Sequence, residues 1–483
     1  FCFLFVKILK KKLKMSNSMG LKEIELSYST ESIFLDGDCA WPILRYKINE
    51  ELRKKDGLTS RTLKINKTLV FKLLRTLFYG LNEILRIKRY KFWVFSNSDR
   101  RRKIRGKYVD RVMEPIVENQ INTLVIENPY PLGKHYKKDD LKNKNIISQT
   151  IFFSCTKLIG FFLSRRVRIE NEEILIKILK ESGISLDYKA VLRNHRAQYL
   201  FMKLMLKLAT PKIVFFVYSA SSMGYIKALK EKNITVVELQ HGVINELHFA
   251  YNVFKDFGNN FYPDYLLTYG VNESKIFDAN NFFIKSSNVI PIGYYFLEEF
   301  INSPIDGSKH LPDKKGFTKI IVLSLQDPFE KFMFKFLNDI SLKDKTILFL
   351  LVPRDPKKSY KEFQFPVNVR VERNFNVYEC LKIADFHMTI NSTCAIESLC
   401  FGVPNILYDY KNWASSYYGE VLNDSGHTVF VDSIIEFERI MKNHQFYDKE
   451  KIAQKSRDFI ESGFVSNLDN VIEQKILRKE ENE

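Results

Sequence analysis

The residues best able to do chemistry lie in one stretch, residues 384–409, ADFHMTINSTCAIESLCFGVPNILYD. Asn391, Ser392 and Thr393 bring an amide and two hydroxyls to the point where a short apolar run, Phe386 to Ile390, gives way to a helical pattern. A helix opened by such residues offers free backbone N–H groups and a positive dipole end, the conditions that hold a phosphate. Thr393 and Glu397 are four apart and share a helix face, while Ile396, Leu399 and Cys400 fall on the side that packs inward. Glu397 then stands one turn beyond the phosphate, where its carboxylate can accept both hydroxyls of a ribose. Ordinary capping and dipole compensation also explain hydroxyls and an acid near a helix start. A capping box does not, because Glu397 is not three residues after Ser392 or Thr393. Gly402 and Pro404 stop the helix, and Asn405 to Tyr408 begins the next strand.

A second candidate lies in the run Val236-Val237-Glu238-Leu239-Gln240-His241-Gly242, a buried strand whose carboxyl end carries an imidazole. Histidine titrates near neutrality, so His241 can take a proton from a hydroxyl nucleophile or, when charged, stabilise a phosphate. A hydrogen bond to a neighbouring loop carbonyl is the plainer role. Gln240 supports the turn, and Gly242 suits close approach of a ligand or a tight turn.

The elements that must position these residues form two α/β halves. In the first, Trp41 to Leu52 and Thr62 to Ile87 have helical spacing, and Phe92 to Phe95 and Thr123 to Ile126 read as strands. Asn128 to Asn145 reads as an exposed loop. A helix over Leu186 to Leu208 precedes strand Lys212 to Tyr218, helix Tyr225 to Lys232 and strand Thr235 to Leu239, a parallel βαβ unit. Beyond a polar, Pro- and Gly-containing stretch, Ile320 to Leu325, Phe329 to Asn338, Thr346 to Val352, Val377 to Ala384 and the opening stretch alternate strand and helix. That alternation means a doubly wound parallel sheet, which binds ligands at the carboxyl ends of its strands. The expected divisions are a basic N-terminal extension (1–20), an N-terminal α/β domain with a basic helical region (21–300), a linker (301–318), a Rossmann-like domain (319–445) and C-terminal helices (446–483).

Composition narrows the class. A chain of 483 residues, 45% hydrophobic, is too long for one core and too apolar for disorder. Six scattered cysteines without a C-x-x-C pair argue against a disulfide framework and a zinc site, which fits a reducing cytoplasm. No apolar run reaches spanning length; Ile151 to Leu163 comes closest and is broken by Lys157. The N-terminal FCFLFVKILKKKLK carries its charge after its apolar part, the reverse of a secretory signal, so it reads as an upstream extension before Met15 or Met19, or as a weak surface anchor. The net charge of +18 is uneven: Glu51 to Lys107 holds 18 Lys/Arg against 4 Asp/Glu. Such a face attracts a polyanion, such as an anionic membrane or a lipid-linked diphosphate, or else is a solvated surface. Nucleic acid is not expected, since no zinc-finger spacing, RNA-binding strand motif or helix-turn-helix accompanies the charge. Asp36-Gly37-Asp38 matches an Asp-x-Asp metal pattern but precedes any nucleotide-binding unit, and Asp-Gly is a common turn pair.

The run from Pro211 to Gly270, with KIVFFVYSASSMGYIKALKEKNITVVELQHGVI and then YPDYLLTYG, resembles bacterial capsule and surface-polysaccharide glycosyltransferases of the GT-B type. STCAIESLCFGVPNI is similar to the donor-binding segment of that superfamily. The resemblance covers roughly residues 185 to 410. It implies an α/β fold of two Rossmann-like domains with parallel sheets facing across a cleft, one for the acceptor and one for a nucleotide-activated sugar. It implies that Ser392 and Thr393 bind phosphate, with Asn391 beside them in the nucleotide site, that Glu397 binds the nucleoside, and that His241 faces the reacting centre. Relatives similar to sialyltransferases and Kdo transferases carry a Lys/His-Pro motif after the second donor-domain strand. Here Leu350-Leu351-Val352-Pro353-Arg354-Asp355-Pro356 stands in that place, so Arg354 supplies the positive charge or is a surface turn residue. The expectation is a cytoplasmic glycosyltransferase, peripheral on the inner face of the plasma membrane. It builds capsule, lipopolysaccharide or a similar glycan on a glycan or lipid-linked acceptor, with no obligatory metal and no cofactor beyond its nucleotide-sugar substrate. A CDP-polyol phosphotransferase, a nucleotide-sugar epimerase or a non-catalytic binder of anionic glycan or lipid are the alternatives.

Overall fold

The computed structural model describes residues 20–477 except 56–66, 120–121, 131–132, 163–166, 247, 279, 305–313, 315, 327–328, 342–343, 356–357, 423–425 and 444–447. The N-terminal extension and most of the expected linker therefore lie outside the described residues. Unit 1 is built from residues up to 267, from 274–290 and from 476 onward; unit 2 comprises 268–273 and 291–475.

The strands of unit 1 are β1 (Phe34–Leu35), β2 (Asp38–Cys39), β3 (Phe92–Asn97), β4 (Arg101–Ile104), β5 (Lys107–Asp110), β6 (Thr123–Asn128), β7 (Ile146–Ser148), β8 (Ile213–Phe216), β9 (Thr235–Leu239), β10 (Tyr265–Thr268) and β11 (Val289–Pro291). Seven of them make one sheet in the order β11-β10-β9-β8-β3-β6-β7, parallel from β7 to β10. Trp93, Phe95, Val214 and Phe216 point to one face, where Phe152, Phe201 and Ile226 cover them from the helices Thr150–Phe162, Tyr188–Leu208 and Met223–Lys230. Each such side chain contributes about 1.5–3 kcal/mol over an exposed one. Helix Met223–Lys230 packs on Tyr188–Leu208 through Gly224, where any Cβ would collide with the His195 carbonyl.

Unit 2 follows the alternation read from the sequence. Its strands are β12 (Lys319–Ser324), β13 (Ile347–Val352), β14 (Val369–Val371), β15 (Phe386–Thr389), β16 (Asn405–Tyr408) and β17 (Thr428–Val431). All pairings are parallel, in the order β14-β13-β12-β15-β16-β17. The molecule is thus an α/β protein with two Rossmann-like sheets, as the sequence implies. In each sheet the chain leaves the central strand on one side and resumes on the other. This switch point lies between β3 and β8 in unit 1 and between β12 and β15 in unit 2, and the crevice at the strands' carboxyl ends there is where such sheets bind ligands.

Two local expectations change, and a third site takes the turn its Asp-Gly pair suggests. The helix expected over Thr62–Ile87, whose first residues, 62–66, lie outside the described residues, is broken into helices Lys67–Arg75 and Leu81–Leu85 with one 3₁₀ turn, Thr76–Phe78, between them. Gly80, at φ 82°, turns the chain against the Ile146 carbonyl where no side chain fits. The basic run after Arg100 is not simply a solvated face. It forms the antiparallel hairpin β4–β5, turned at Arg105 and Gly106 with φ 47° and 83°. Its Arg101 points inward, buried, to pair with Glu127, which also accepts from His135 Nδ1 at 2.7 Å. Asp36-Gly37-Asp38 is the turn of hairpin β1–β2, with Asp36 paired to Arg196 at 3.2 Å and Asp38 to Lys227.

Candidate functional site

In unit 1 polar side chains converge just past the carboxyl ends of β8 and β9, beside the switch point. Glu238 sits inside β9, paired in register with Phe216, among apolar neighbours. Its carboxylate is buried and accepts hydrogen bonds from the Tyr251 hydroxyl at 2.7 Å and the Ser219 N–H at 3.3 Å. Burial pushes its carboxyl up to about 7, opposed by those hydrogen bonds and by the charge of Arg100. The loop on either side of Tyr251 is held in turn by Arg45, whose guanidinium donates to the carbonyls of Phe249 at 2.7 Å and Asn252 at 2.6 Å and pairs with buried Glu25 at 2.8 Å.

His241 lies in this group. Its ring stands edge-on to Tyr218 at 5.7 Å, and Nδ1 is buried with no hydrogen-bond partner among the described residues. Burial, then the charges of Arg100, His248 and Arg111, hold the imidazole well below its usual range, against a hydrogen bond to the Val217 carbonyl. The ring is therefore neutral near neutral pH and has a nitrogen able to accept a proton. Gln240 is buried, and its side-chain amide donates to the Gly242 carbonyl at 2.9 Å, which pins the turn. Gly242 itself has no positive φ, and a Cβ there would meet nothing within 4 Å. Neither backbone strain nor packing requires a glycine at that position.

In unit 2 the strand–turn–helix expected around residue 391 is present. β15 ends at Thr389; Asn391, Ser392 and Thr393 are half-buried; a single α-turn, Cys394–Glu397, continues as 3₁₀ through Phe401 and stops at Gly402 with φ 69°. Ser392 Oγ accepts from the Cys394 N–H at 3.3 Å, and the Tyr418 hydroxyl donates to Asn391 at 3.4 Å. Thr393 makes no side-chain cap. Glu397 is buried, beside the Cys394 thiol, whose pKa is pushed well up by burial and then by that carboxylate. Arg354 is exposed, two residues past the end of β13. A small cavity of about 10 Å³, room for about one water, opens between Ser324 at the end of β12 and Thr389 and Asn391 at the end of β15, at the switch point. It is the floor of a site rather than a nucleotide-sized hole.

Beneath this floor runs a buried chain that sequence reading passed over. The Ser324 hydroxyl lies 2.9 Å from His387 Nε2, His387 Nδ1 lies 2.8 Å from Asn405 Oδ1, and the Asn405 amide donates to the Ala395 carbonyl at 2.5 Å. Burial pushes His387 down to about 4, so the ring is neutral, donating from Nδ1 and accepting at Nε2. It ties β12, β15 and β16 to the turn that carries Ser392. Glu238 also went unassigned, although a carboxylate inside an apolar strand is a sequence signal in itself. A cavity of about 1420 Å³ in unit 1 opens at the opposite, amino ends of β8, β9 and β10, lined by Lys212, Lys232 and Tyr265, away from His241.

Fold and site together define a two-unit α/β protein with polar groups gathered at the carboxyl ends of both parallel sheets. No protein-family model matches the chain, and no curated protein matches it. Among solved structures it is similar to CalG4, the calicheamicin glycosyltransferase, at 13% identity over 80% of this chain and 98% of that one, TM-score 0.49. It is also similar to a UDP-N-acetylglucosamine 2-epimerase, at 13% over 82% and 97%, TM-score 0.46, and to the glycosyltransferase SnogD from Streptomyces nogalater, at 11% over 79% and 100%, TM-score 0.46. Likenesses of this strength say nothing about the reaction.

Proposed function

We propose that the protein is a glycosyltransferase of the GT-B type that moves a sugar from a nucleotide-activated donor to a growing surface glycan. The observation that carries this reading is the unit 1 cluster. Beside its switch point the first parallel sheet gathers Glu238, Tyr251 and a neutral His241, with Gly242 leaving open space that the fold does not need. In this reading the acceptor hydroxyl enters over Gly242 and His241 takes its proton as the new glycosidic bond forms and the diphosphate leaves. Unit 2 supplies the donor side, with Asn391, Ser392, Thr393 and Arg354 on the diphosphate and Glu397 on the ribose. These groups balance the leaving charge without an obligatory metal, and the protein works at the inner face of the plasma membrane.

A thermal-shift screen with CMP, CDP, UDP, GDP and dTDP tests the donor half, since a ligand bound only to the folded state raises stability with concentration. Product analysis with the nucleotide sugar so named then separates the reactions. Transfer needs an acceptor, an epimerase changes the sugar without one, and a polyol-phosphate transferase releases CMP and leaves a phosphodiester. A chain that binds none of the five nucleotides overturns the proposal.

A further inference from the structure

Helix Lys67–Arg75 buries none of its residues, although half of them are apolar. Val70, Phe71 and Leu74 are exposed, and the chain that follows exposes Phe78 at 76% and Leu85 at 90%. Helix Thr150–Phe162 does the same on its outer side, with Leu158 exposed and Phe161 and Phe162 at 74% and 80%. The two segments adjoin. The Thr76 and Thr150 hydroxyls are 2.7 Å apart, and the Ser148 N–H donates to the Tyr79 carbonyl at 3.1 Å. Helix Tyr188–Leu208 packs alongside, with the Phe201 ring 5.0 Å from Phe152, and exposes Leu204 and Leu208. Scattered surface leucines need no explanation, but large aromatic groups this exposed on adjoining helices do.

The charge around them is mostly positive. Lys67, Lys72, Arg75, Arg86 and Lys88 are exposed along the first segment, Lys157 on the second helix, and Lys207 and Lys203, the latter paired with Glu231, on the third. From Lys67 to Lys91 the only acid is Glu83, which is buried and engaged by Arg89 and Tyr90; the helix Thr150–Phe162 has none. Among the described residues no helix is long and apolar enough to cross a membrane. Exposed Phe and Leu ringed by Lys and Arg is the composition that settles at an anionic bilayer surface, rings in the acyl boundary and cations among the headgroups. We propose that this face of unit 1 docks on an anionic phospholipid bilayer. Apolar insertion and electrostatic attraction act together, because either alone gives only marginal binding. The inference rests on surface chemistry and not on the transfer reaction, so nucleotide binding by the same preparations reads that reaction separately.

The test is co-sedimentation of the full chain with vesicles of phosphatidylcholine alone and with roughly one-quarter phosphatidylglycerol. The chain should partition to the anionic vesicles and not to the neutral ones. Binding should weaken but not vanish when salt rises from about 0.1 M to about 0.5 M, since screening removes only the electrostatic part. The double variants Phe161→Ser with Phe162→Ser, and Phe71→Ser with Phe78→Ser, should each cut partitioning about tenfold or more with unchanged circular dichroism and Tm. Partitioning of the folded variants equal to wild type, or no wild-type binding to anionic vesicles, overturns the proposal. So does a wild-type dimer in sedimentation velocity that these substitutions convert to monomer, which would assign the face to a second copy of the chain.

Discussion

The Tyr251 hydroxyl donates to the buried Glu238 carboxylate at 2.7 Å, and the pair sits at the end of a strand whose other residues are nearly all apolar. Burial lifts Glu238 from 4.5 to about 7, so the folded state binds a proton there that the unfolded state releases. The stabilising contribution is complete below about pH 4.5 and is lost as pH rises to about 7, by roughly 3 kcal/mol at most. Glu238→Gln keeps the size and the neutral character without titrating. Urea unfolding at about pH 5 and about pH 8 should therefore show the variant losing less stability than wild type across that interval. Glu114, also pushed up to about 7, contributes the same slope to both proteins and cancels. An identical pH dependence in wild type and variant would mean that Glu238 is ionised in the fold.

Gly242 and His241 separate a site from a turn. The backbone at Gly242 suits any residue and the space beside it is empty, so Gly242→Ala should leave Tm within about 1 °C, as for a neutral surface change. It should nevertheless raise the KM for the acceptor, because the methyl group occupies the path proposed for that hydroxyl. His241→Ala should lower kcat by roughly 10²–10⁴ with a small effect on nucleotide affinity, the range for loss of a general base. Full transfer activity in both folded variants would remove the cluster from the reaction.

The donor half makes a sharper demand. Glu397 is shielded beside Cys394, so its carboxylate serves either the ribose or the packing of the turn. Glu397→Gln retains the shape and weakens acceptance from two hydroxyls. If the carboxylate binds the ribose, affinity for the preferred nucleotide should fall by about 1.5–3 kcal/mol, the worth of charge-assisted hydrogen bonds, while Tm without nucleotide changes little. Isothermal titration reads the first and calorimetry the second. A large Tm loss with unchanged affinity per folded molecule would make Glu397 a packing residue.

How far the sequence could be read depended on the periodicity and length of each element. In unit 2, β12, β13, β15 and β16 were legible because each is a short apolar run bounded by turn residues, and Asn405–Tyr408 falls at its expected bounds, whereas the three-residue β14 and the partly exposed β17 were not read. β7 escaped because three residues carry no period, and β4–β5 because four consecutive Arg and Lys side chains hide an alternation in which Arg101 points inward. Thr62–Ile87 has helical spacing throughout, but Gly80 meets β7 and breaks it. At the sites, residues at strand ends were visible as polar groups after apolar runs. Tyr251 and Arg45 were not, because their bearing on Glu238 comes from long-range contacts that no local pattern encodes.

His387 gives the last prediction, and it links fold to site. Its neutral ring accepts from the Ser324 hydroxyl and donates to Asn405, bracing the turn above. His387→Phe fills the space but leaves Ser324 and Asn405 buried without that partner, which costs about 1–3 kcal/mol at about pH 7.5. Burial lowers His387 from 6.5 to about 4, so here the unfolded state takes up the proton first. Stability from the neutral ring is complete above about pH 6.5 and is lost as pH falls to about 4, by roughly 3 kcal/mol at most. Phenylalanine does not titrate, so the gap between wild type and variant should shrink or reverse at about pH 4. Urea unfolding at the two pH values measures it, and nucleotide affinity at about pH 7.5 should also fall because Ser324 and Asn391 line the same small cavity. A gap of equal size at both pH values would mean that the folded ring takes up its proton as readily as the unfolded one and that the turn is braced in some other way.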